Sequence, residues 1–331
     1  MTAGAPRRRA LRRLAWPALA ALAAPGCTPP PGPPLRIGAQ AWLGFELMFL
    51  ARQRRYFGAD TVRLVELPSA SASLRALSAG TLEGAGLTLD EVISARARGL
   101  PLRVVAVLDV SKGADVLLGA PGLSSLAALK GRRIGVEQSA GGALMLAAAL
   151  MRVGLGAADV HLVPLAFSEH AQALLDGRVD ALVTFEPASS RLRRQGARLL
   201  FSSADVPGLI VDVLALHADA LAARPGAVRA LVAGTLRARD DWLQSPAAMA
   251  PLLAPRLRLT PPDVLQAFAG VELPDLSANR RWLAGPDPAL LHYAARLTEA
   301  MQRASLLPPG GASLPGGTDP VLADPRFLPA G

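Results

Sequence analysis

Two Thr-x-acid groups, Thr88-Leu-Asp90 and Thr184-Phe-Glu186, set a hydroxyl beside a carboxylate where a short apolar run gives way to a helical pattern. Asp109 and Asp212 interrupt strongly apolar segments, where a carboxylate without partners is costly, so a cleft or hinge suits them better than a core. Gln40 and Trp42, Ser69 with Ser71, Ser111, and Gln138, Ser139 and Gly141 occupy other strand ends and turns. The cation near these acids, amides and hydroxyls is Lys112, one of two lysines in the chain. An oxyanion would call for donors and cations. This set fits an amine, a cation or a hydrogen-bonding heterocycle such as a pyrimidine.

Catalytic signatures are missing. The four histidines, His161, His170, His217 and His292, have no metal-ligand spacing, and Cys27 is the only cysteine. Ser139 lies in EQSAGG, not in a nucleophile elbow. No Gly-rich dinucleotide or phosphate loop follows a strand. The expectation is a protein without enzymatic activity, metal or cofactor.

Several candidates also have a structural reading. Thr88-Leu-Asp-Glu91 matches a capping box, with Glu91 reaching back to the start of its helix. Glu186 before Pro187 can cap the helix that follows and complement its dipole. Ser139 can serve a Gly-rich turn, and Trp42 is either core or a stacking platform for a flat solute.

The elements that would position these residues come in two copies. GTLEGAGLTLD at residues 80–90 is echoed by GRVDALVTFEP at 177–187, and RIGAQ from Arg36 by RIGVE from Arg133. Both pairs are offset by 97 residues, as are Leu47-Met48 and Leu144-Met145, Ser71 and Ser168, and Leu77 and Leu174. In the first copy, strands are predicted at 35–39, 62–67, 83–87 and 102–109, with helices at 45–56, from 69–73 to Gly80, and at 89–98. A strand at 115–119 leaves this copy, and a short helix at 122–131 connects to the next. The second copy is predicted to have strands at 133–136, 160–164 and 179–184 and helices at 141–153, 168–176 and 187–195. An apolar strand at 209–216 returns the chain, and helices at 225–243, 262–268 and 288–304 follow, each with Pro near its start. Alternating strands and helices imply an α/β fold with mostly parallel sheets and helices on both faces.

With 331 residues, 51% hydrophobic content and 18% charge, the chain is long enough for two domains. Its net charge of +9 falls to +4 once the five arginines of the first 26 residues are set aside. No basic stripe interleaved with aromatics remains, so no nucleic-acid partner is expected. Those arginines form a basic n-region before an apolar run at 14–24, as in an export signal. Ala24-Pro25-Gly26-Cys27 resembles a bacterial lipobox with a lipidated Cys27, although Ala24 and Pro25 depart from the usual pattern. Cleavage nearby to give a soluble periplasmic protein is the alternative. TPPPGPP then reads as a stiff tether.

RIGAQAWLGFELMFLARQRRYF, SASLRALSAGTLEGAGLTLDE, ALKGRRIGVEQSAGGALML and LLDGRVDALVTFEP, in that order, resemble the nitrate, sulfonate, taurine and thiamine-pyrimidine branch of the periplasmic substrate-binding proteins of ABC transporters. The resemblance spans roughly residues 35–243 and implies a two-lobed type II clam-shell that closes on a small solute. It also implies delivery to a membrane permease with a separate ATPase, by a monomer that is periplasmic and held to the membrane by a lipid anchor. The expected organisation is a signal peptide at 1–27, a Pro-rich tether at 28–34, lobe 1 at 35–117 and 210–305, lobe 2 at 118–209, and an irregular C-terminal tail at 306–331. The competing readings are an enzyme on a scaffold related to pyrimidine synthesis, using Lys112, and a sensory receptor for a membrane kinase. Ligands in such sheets bind beyond the carboxyl ends of the strands, where the residues named above gather.

Overall fold

Arg36 and Arg133, 97 residues apart, make the same set of bonds. The backbone N–H of Arg36 donates to Glu83 Oε2 and its guanidinium to Glu83 and to the Gly80 carbonyl at 2.9 Å. Arg133 does likewise with Asp180 and with the Gly177 carbonyl, also at 2.9 Å. Gly80 and Gly177 both have φ of 66°, a conformation open to glycine and strained for other residues. The duplication therefore preserves a working joint between the first strand of each copy and the turn before its third.

The computed structural model describes residues 1–2, 32–137, 140–307 and 321–330. The signal segment with Cys27, most of the tether, Gln138, Ser139 and residues 308–320 of the tail lie outside the described residues. From Pro33 onward the described residues form one compact unit.

The first copy runs β1 (Leu35–Ala39), α1 (Leu43–Gln53), β2 (Val62–Glu66), α2 (Ala70–Ser78), β3 (Gly84–Thr88), α3 (Leu89–Ala97) and β4 (Leu102–Ser111). Ser69 caps α2 by accepting from the Ala72 N–H at 3.2 Å, as its hydroxyl and position dictate. The second copy comprises β5 (Asp115–Gly119), β6 (Arg133–Val136), α4 (Ala140–Met151), β7 (His161–Pro164), α5 (His170–Leu175), β8 (Ala181–Phe185), α6 (Ala188–Arg194) and β9 (Arg198–Ser202). The return strand is β10 (Val211–His217). It is followed by α7 (Ala218–Ala223), α8 (Pro225–Gln244), α9 (Pro246–Leu257), α10 (Pro261–Phe268), β11 (Val271–Glu272), α11 (Leu276–Leu283) and α12 (Ala289–Arg303).

These strands form two sheets of matching order, β2-β1-β3-β10-β4-β11 and β7-β6-β8-β5-β9. Strands β1 to β4 share one direction, and the crossing strand β10 lies antiparallel between β3 and β4. In the second sheet β5 plays that part between β8 and β9. Each sheet has apolar clusters on both faces. On one face of the larger sheet Phe45, Phe49 and Met48 of α1 meet α8 and α9, and on the other Val92 of α3 meets Leu290 and Leu297 of α12. Burying side chains of this size contributes about 1.5–3 kcal/mol each.

Four expectations change. All of β5 belongs to the second sheet, so the crossing lies between Ser111 and Asp115, earlier than a boundary at 117/118. Residues 122–131 form only a short 3-10 turn at Ala127–Leu129, because the Ser-rich segment buries little beyond Leu123 and Leu129. β9, α7, α9, β11 and α11 are additional; α9 persists despite Pro251 and Pro255 because Ala250, Leu253 and Leu257 pack into the core. The tail is not irregular throughout: the Asp324 N–H donates to the Val104 carbonyl and the Val104 N–H to the Leu322 carbonyl, both at 2.8 Å, and Leu322 and Phe327 are buried.

The end of the tail is thus part of the six-stranded half. Phe327→Ala is expected to lower the unfolding free energy by about 3 kcal/mol, as for a Phe-to-Ala truncation in a core. A urea midpoint equal to that of the parent protein would show that this segment contributes nothing.

Candidate functional site

Between the two sheets lies a cavity of about 50 Å³. Gln40, Thr88, Glu91, Asp115, Glu137 and His170 provide its polar wall; Met145, Val183, Phe185 and Ile210 its apolar one; Gly141 and Gly142 complete it. Its position follows from topology: Gln40 and Glu137 immediately follow β1 and β6, Thr88 and Phe185 end β3 and β8, and Asp115 starts β5. The strands' carboxyl ends therefore converge on it from both halves, as open α/β sheets dictate. By its volume it admits about three to five water-sized groups.

Beside the cavity, the pairing of β3, β10 and β4 aligns Thr88, Asp212 and Asp109 in one row across three strands. Asp109 Oδ2 accepts from the Trp42 Nε1–H at 3.0 Å. It also lies against Gly44 at the start of α1, where an added Cβ would come within 1.7 Å of Asp109 Oδ2. The positive end of α1 therefore faces a carboxylate of the chain itself. At the equivalent Gly141, starting α4, an added Cβ would stand 3.6 Å from Asp90 Oδ2.

The candidates fall into three groups. Gln40, Thr88 and Gly141 line the cavity. Asp90, Asp109 and Asp212 are buried behind it, with Asp90 Oδ1 and Oδ2, Asp109 Oδ1 and Asp212 Oδ2 lacking a hydrogen-bond partner among the described residues. Trp42 is not a stacking platform: it is buried, meets the Phe185 ring edge-on at 5.3 Å, and holds Asp109. Thr184 is buried beneath the site, its Oγ1 3.1 Å from His170 Nδ1. Ser111 shares a 2.8 Å hydroxyl bond with Ser203 at the crossing, and the Asp115 N–H donates to it. Ser69 and Ser71 line an adjoining recess with Arg75 and Glu137, not the cavity. Glu186 accepts from the Ser190 N–H and Oγ–H, 3.1 and 3.0 Å away, and so caps α6 as its position before Pro187 allows. Lys112 pairs with Glu272, and both are half exposed, which takes the chain's candidate nucleophile out of the cavity.

Glu91, Asp115, Glu137, His170 and Phe185 were not singled out as ligand-binding from the sequence. The 97-residue offset would have found two of them, because it maps Gln40 onto Glu137 and Thr88 onto Phe185. Pairing one Thr-x-acid group with the other obscures this, since they are one residue out of register. Glu91 has both roles: it accepts from the Thr88 N–H at 2.9 Å as a capping residue and it also faces the cavity. Among the described residues no group of three or more His, Cys, Asp or Glu side chains is arranged to hold a metal, and no helix is long and apolar enough to cross a membrane.

The family model described as NMT1/THI5 like matches residues 44–249, and the chain belongs to that family. No curated protein matches it. Among solved structures it is similar to the alkanesulfonate-binding protein SsuA from Xanthomonas axonopodis pv. citri bound to MOPS. That likeness has a TM-score of 0.68 at 23% identity and covers 83% of this chain and 94% of that one. The ligand-binding component of an ABC-type import system from Staphylococcus aureus gives a TM-score of 0.71 at 15% identity, over 89% of this chain and 98% of that one. The nitrate-binding protein NrtA from Synechocystis PCC 6803 gives 0.69 at 13%, over 89% and 86%. The fold is that of the periplasmic binding proteins, an α/β architecture with two sheets, as the sequence resemblance implies.

Burial raises the carboxyl groups around the cavity. Asp90 is pushed up to about 6, Asp109 and Asp115 to about 7, and Glu91 to about 8, while Asp212 lies well above its ordinary value. Burial also lowers His170 to about 4, so its imidazole is neutral. The folded protein therefore holds protons that the unfolded chain releases near pH 4. These groups stabilise fully below that pH, and their contribution is lost as pH rises to about 8. His170, held low by burial, acts with the opposite sign up to about pH 6.5, one group against several acids, and Glu83 and Asp180, held low by Arg36 and Arg133, do so only below that window. The melting temperature of the ligand-free protein is expected to fall steadily from about pH 6.5 to 8, as followed by circular dichroism. A rise over that interval would contradict the assignment.

Proposed function

We propose that the protein is the solute-binding receptor of an ABC importer, and that its two halves close on a small amine, cation or pyrimidine-like heterocycle for delivery to a membrane permease. One observation carries the ligand class: the cavity is walled by Glu91, Asp115 and Glu137 and backed by Asp90, Asp109 and Asp212, and among the described residues no Lys or Arg lines it. A sulfonate or nitrate would meet carboxyl groups along the polar wall and no cation to offset its charge. The start of α1, a kind of site that attracts anions in general, is already occupied by Asp109. Arg75 approaches Glu137 only from the recess outside.

Closure has its own contacts across the halves. The Ser71 N–H and Oγ–H of the six-stranded half donate to Glu137 Oε1 of the other at 3.3 and 3.2 Å, and Arg194 of α6 donates to Asp263 of α10 at 2.8 Å. A clam-shell receptor needs such contacts to be few and polar, so that they open without solute. The proposed setting is the periplasm. The export signal at 1–27, lipidation at Cys27 and a Pro-rich tether would hold the receptor at the membrane surface, with residues 35–114 plus the return segment and residues 115–209 acting as its two lobes.

Calorimetry on the purified protein tests this. Amines or aminopyrimidines are expected to bind with micromolar affinity that strengthens from pH 6 to 8. Binding should release protons, because a cation favours the ionised form of Asp115 and Glu91. Asp115→Asn is expected to weaken binding about tenfold or more. Micromolar binding of taurine or an alkanesulfonate, with no binding of amines or pyrimidines, would overturn the ligand class.

A further inference from the structure

The hydrogen-bonding capacity of the cavity narrows the ligand beyond its charge, given the reading of this chain as a solute receptor. Three buried oxygens on lining residues, Gln40 Oε1, Thr88 Oγ1 and Asp115 Oδ2, have no hydrogen-bond partner among the described residues. All three can accept a hydrogen bond. His170 is 1% exposed; its Nδ1 is engaged by Thr184 Oγ1, and its Nε2 is the atom left without a partner in the wall. Buried acceptors of this kind discriminate strongly against a solute that cannot satisfy them.

Aromatic recognition is weak by comparison. Recognition of a quaternary ammonium rests on the faces of several rings around the cation. Here Phe185 lines the cavity, but one of its faces is stacked on Phe167 at 4.2 Å and 6°, and its neighbour Trp42 is directed to Asp109. Among the described residues no other Phe, Tyr or Trp lines the cavity, and none of the acids forms a metal cluster.

We infer that the cavity selects a small organic cation bearing three or more N–H donors, such as a guanidinium, an amidinium or a primary ammonium, against fully substituted ammonium ions. Gln40, Thr88 and Asp115 take the N–H groups, Phe185 and Met145 cover the apolar part, and Thr184 fixes the ring of His170 at the remaining wall. Thr88 is a specificity residue in this arrangement. Its buried Oγ1 has no hydrogen-bond partner among the described residues, and one arm of the α3 capping box is made by its backbone N–H and Glu91, without the hydroxyl.

Calorimetry of the intact protein at pH 7.5 against guanidine, acetamidine and ethanolamine, with choline, tetramethylammonium and taurine alongside, tests this. At least one N–H cation is expected to bind 30-fold or more tightly than either quaternary ion. Thr88→Val, which keeps shape and the Glu91 arm of the helix cap, should weaken that cation about tenfold and leave the unliganded melting temperature within a few degrees. Choline binding within threefold of ethanolamine would overturn the selectivity while leaving the receptor and its preference for cations intact. Taurine binding without any cation would overturn both. Failure of every N–H cation to bind, or a Thr88→Val variant that binds as well as the parent, would overturn the inference alone.

Discussion

The burial of carboxyl groups without basic partners is the constraint on which the centre of this molecule turns. Asp90, Asp109, Asp115, Asp212 and Glu91 lie where the two sheets meet, and no ion pair among the described residues reaches them. An unpaired buried polar group costs about 1–3 kcal/mol, and a charged one more. Their raised proton affinities are the response to that cost: several are neutral or half-neutral near pH 7. The remainder of the fold must be stable enough to carry the burden. Four apolar clusters, two on each sheet, and the paired arginine clamps at Arg36 and Arg133 are the structures that do so.

Contrast with Glu46 sharpens the point. Glu46 is also fully buried and pushed up to about 7, yet Arg256 donates to both of its oxygens at 3.1 and 2.8 Å and stacks over Phe49. A buried acid with a structural purpose is thus given a partner in this chain. Those at the cavity are given a tryptophan N–H, a helix start or nothing. Strain concentrated at one place in an otherwise consistent fold is a mark of function.

Much of the fold was legible because the duplication multiplies weak signals. Strand spans at 35–39, 115–119 and 133–136 agree with the structure residue for residue, and the joints at Gly80 and Gly177 repeat the same backbone and guanidinium contacts. The additional elements are those without a second copy to support them: α9 carries two internal prolines, β11 has two residues, and the end of the tail follows a Pro/Gly-rich stretch. At the site, residue types at strand ends pointed to Gln40 and Thr88, which line the cavity, and to Asp109 and Asp212, which lie buried behind it, but not to which oxygens would be satisfied. Glu186 and Asp90 have the same place in the Thr-x-acid pattern, yet Ser190 engages one and nothing engages the other. That difference depends on the local path of a helix start, which no spacing rule encodes.

The duplication also explains how a symmetric scaffold makes an asymmetric site. At equivalent positions the first half presents Gln40 and Thr88 and the second Glu137 and Phe185, so each polar acceptor faces a residue of different chemistry. Glu137 further joins the halves, because it both lines the cavity and accepts from Ser71 across the gap. Charge on Glu137 therefore enters two balances at once, attraction for a cation inside and hydrogen bonding at the rim. A cation that favours the ionised form strengthens the acceptor for the Ser71 N–H and Oγ–H, since hydrogen bonds to charged groups are about twice as strong as neutral ones. In the proposed receptor, solute capture and closure would be coupled through that one side chain, without any need for a longer chain of contacts.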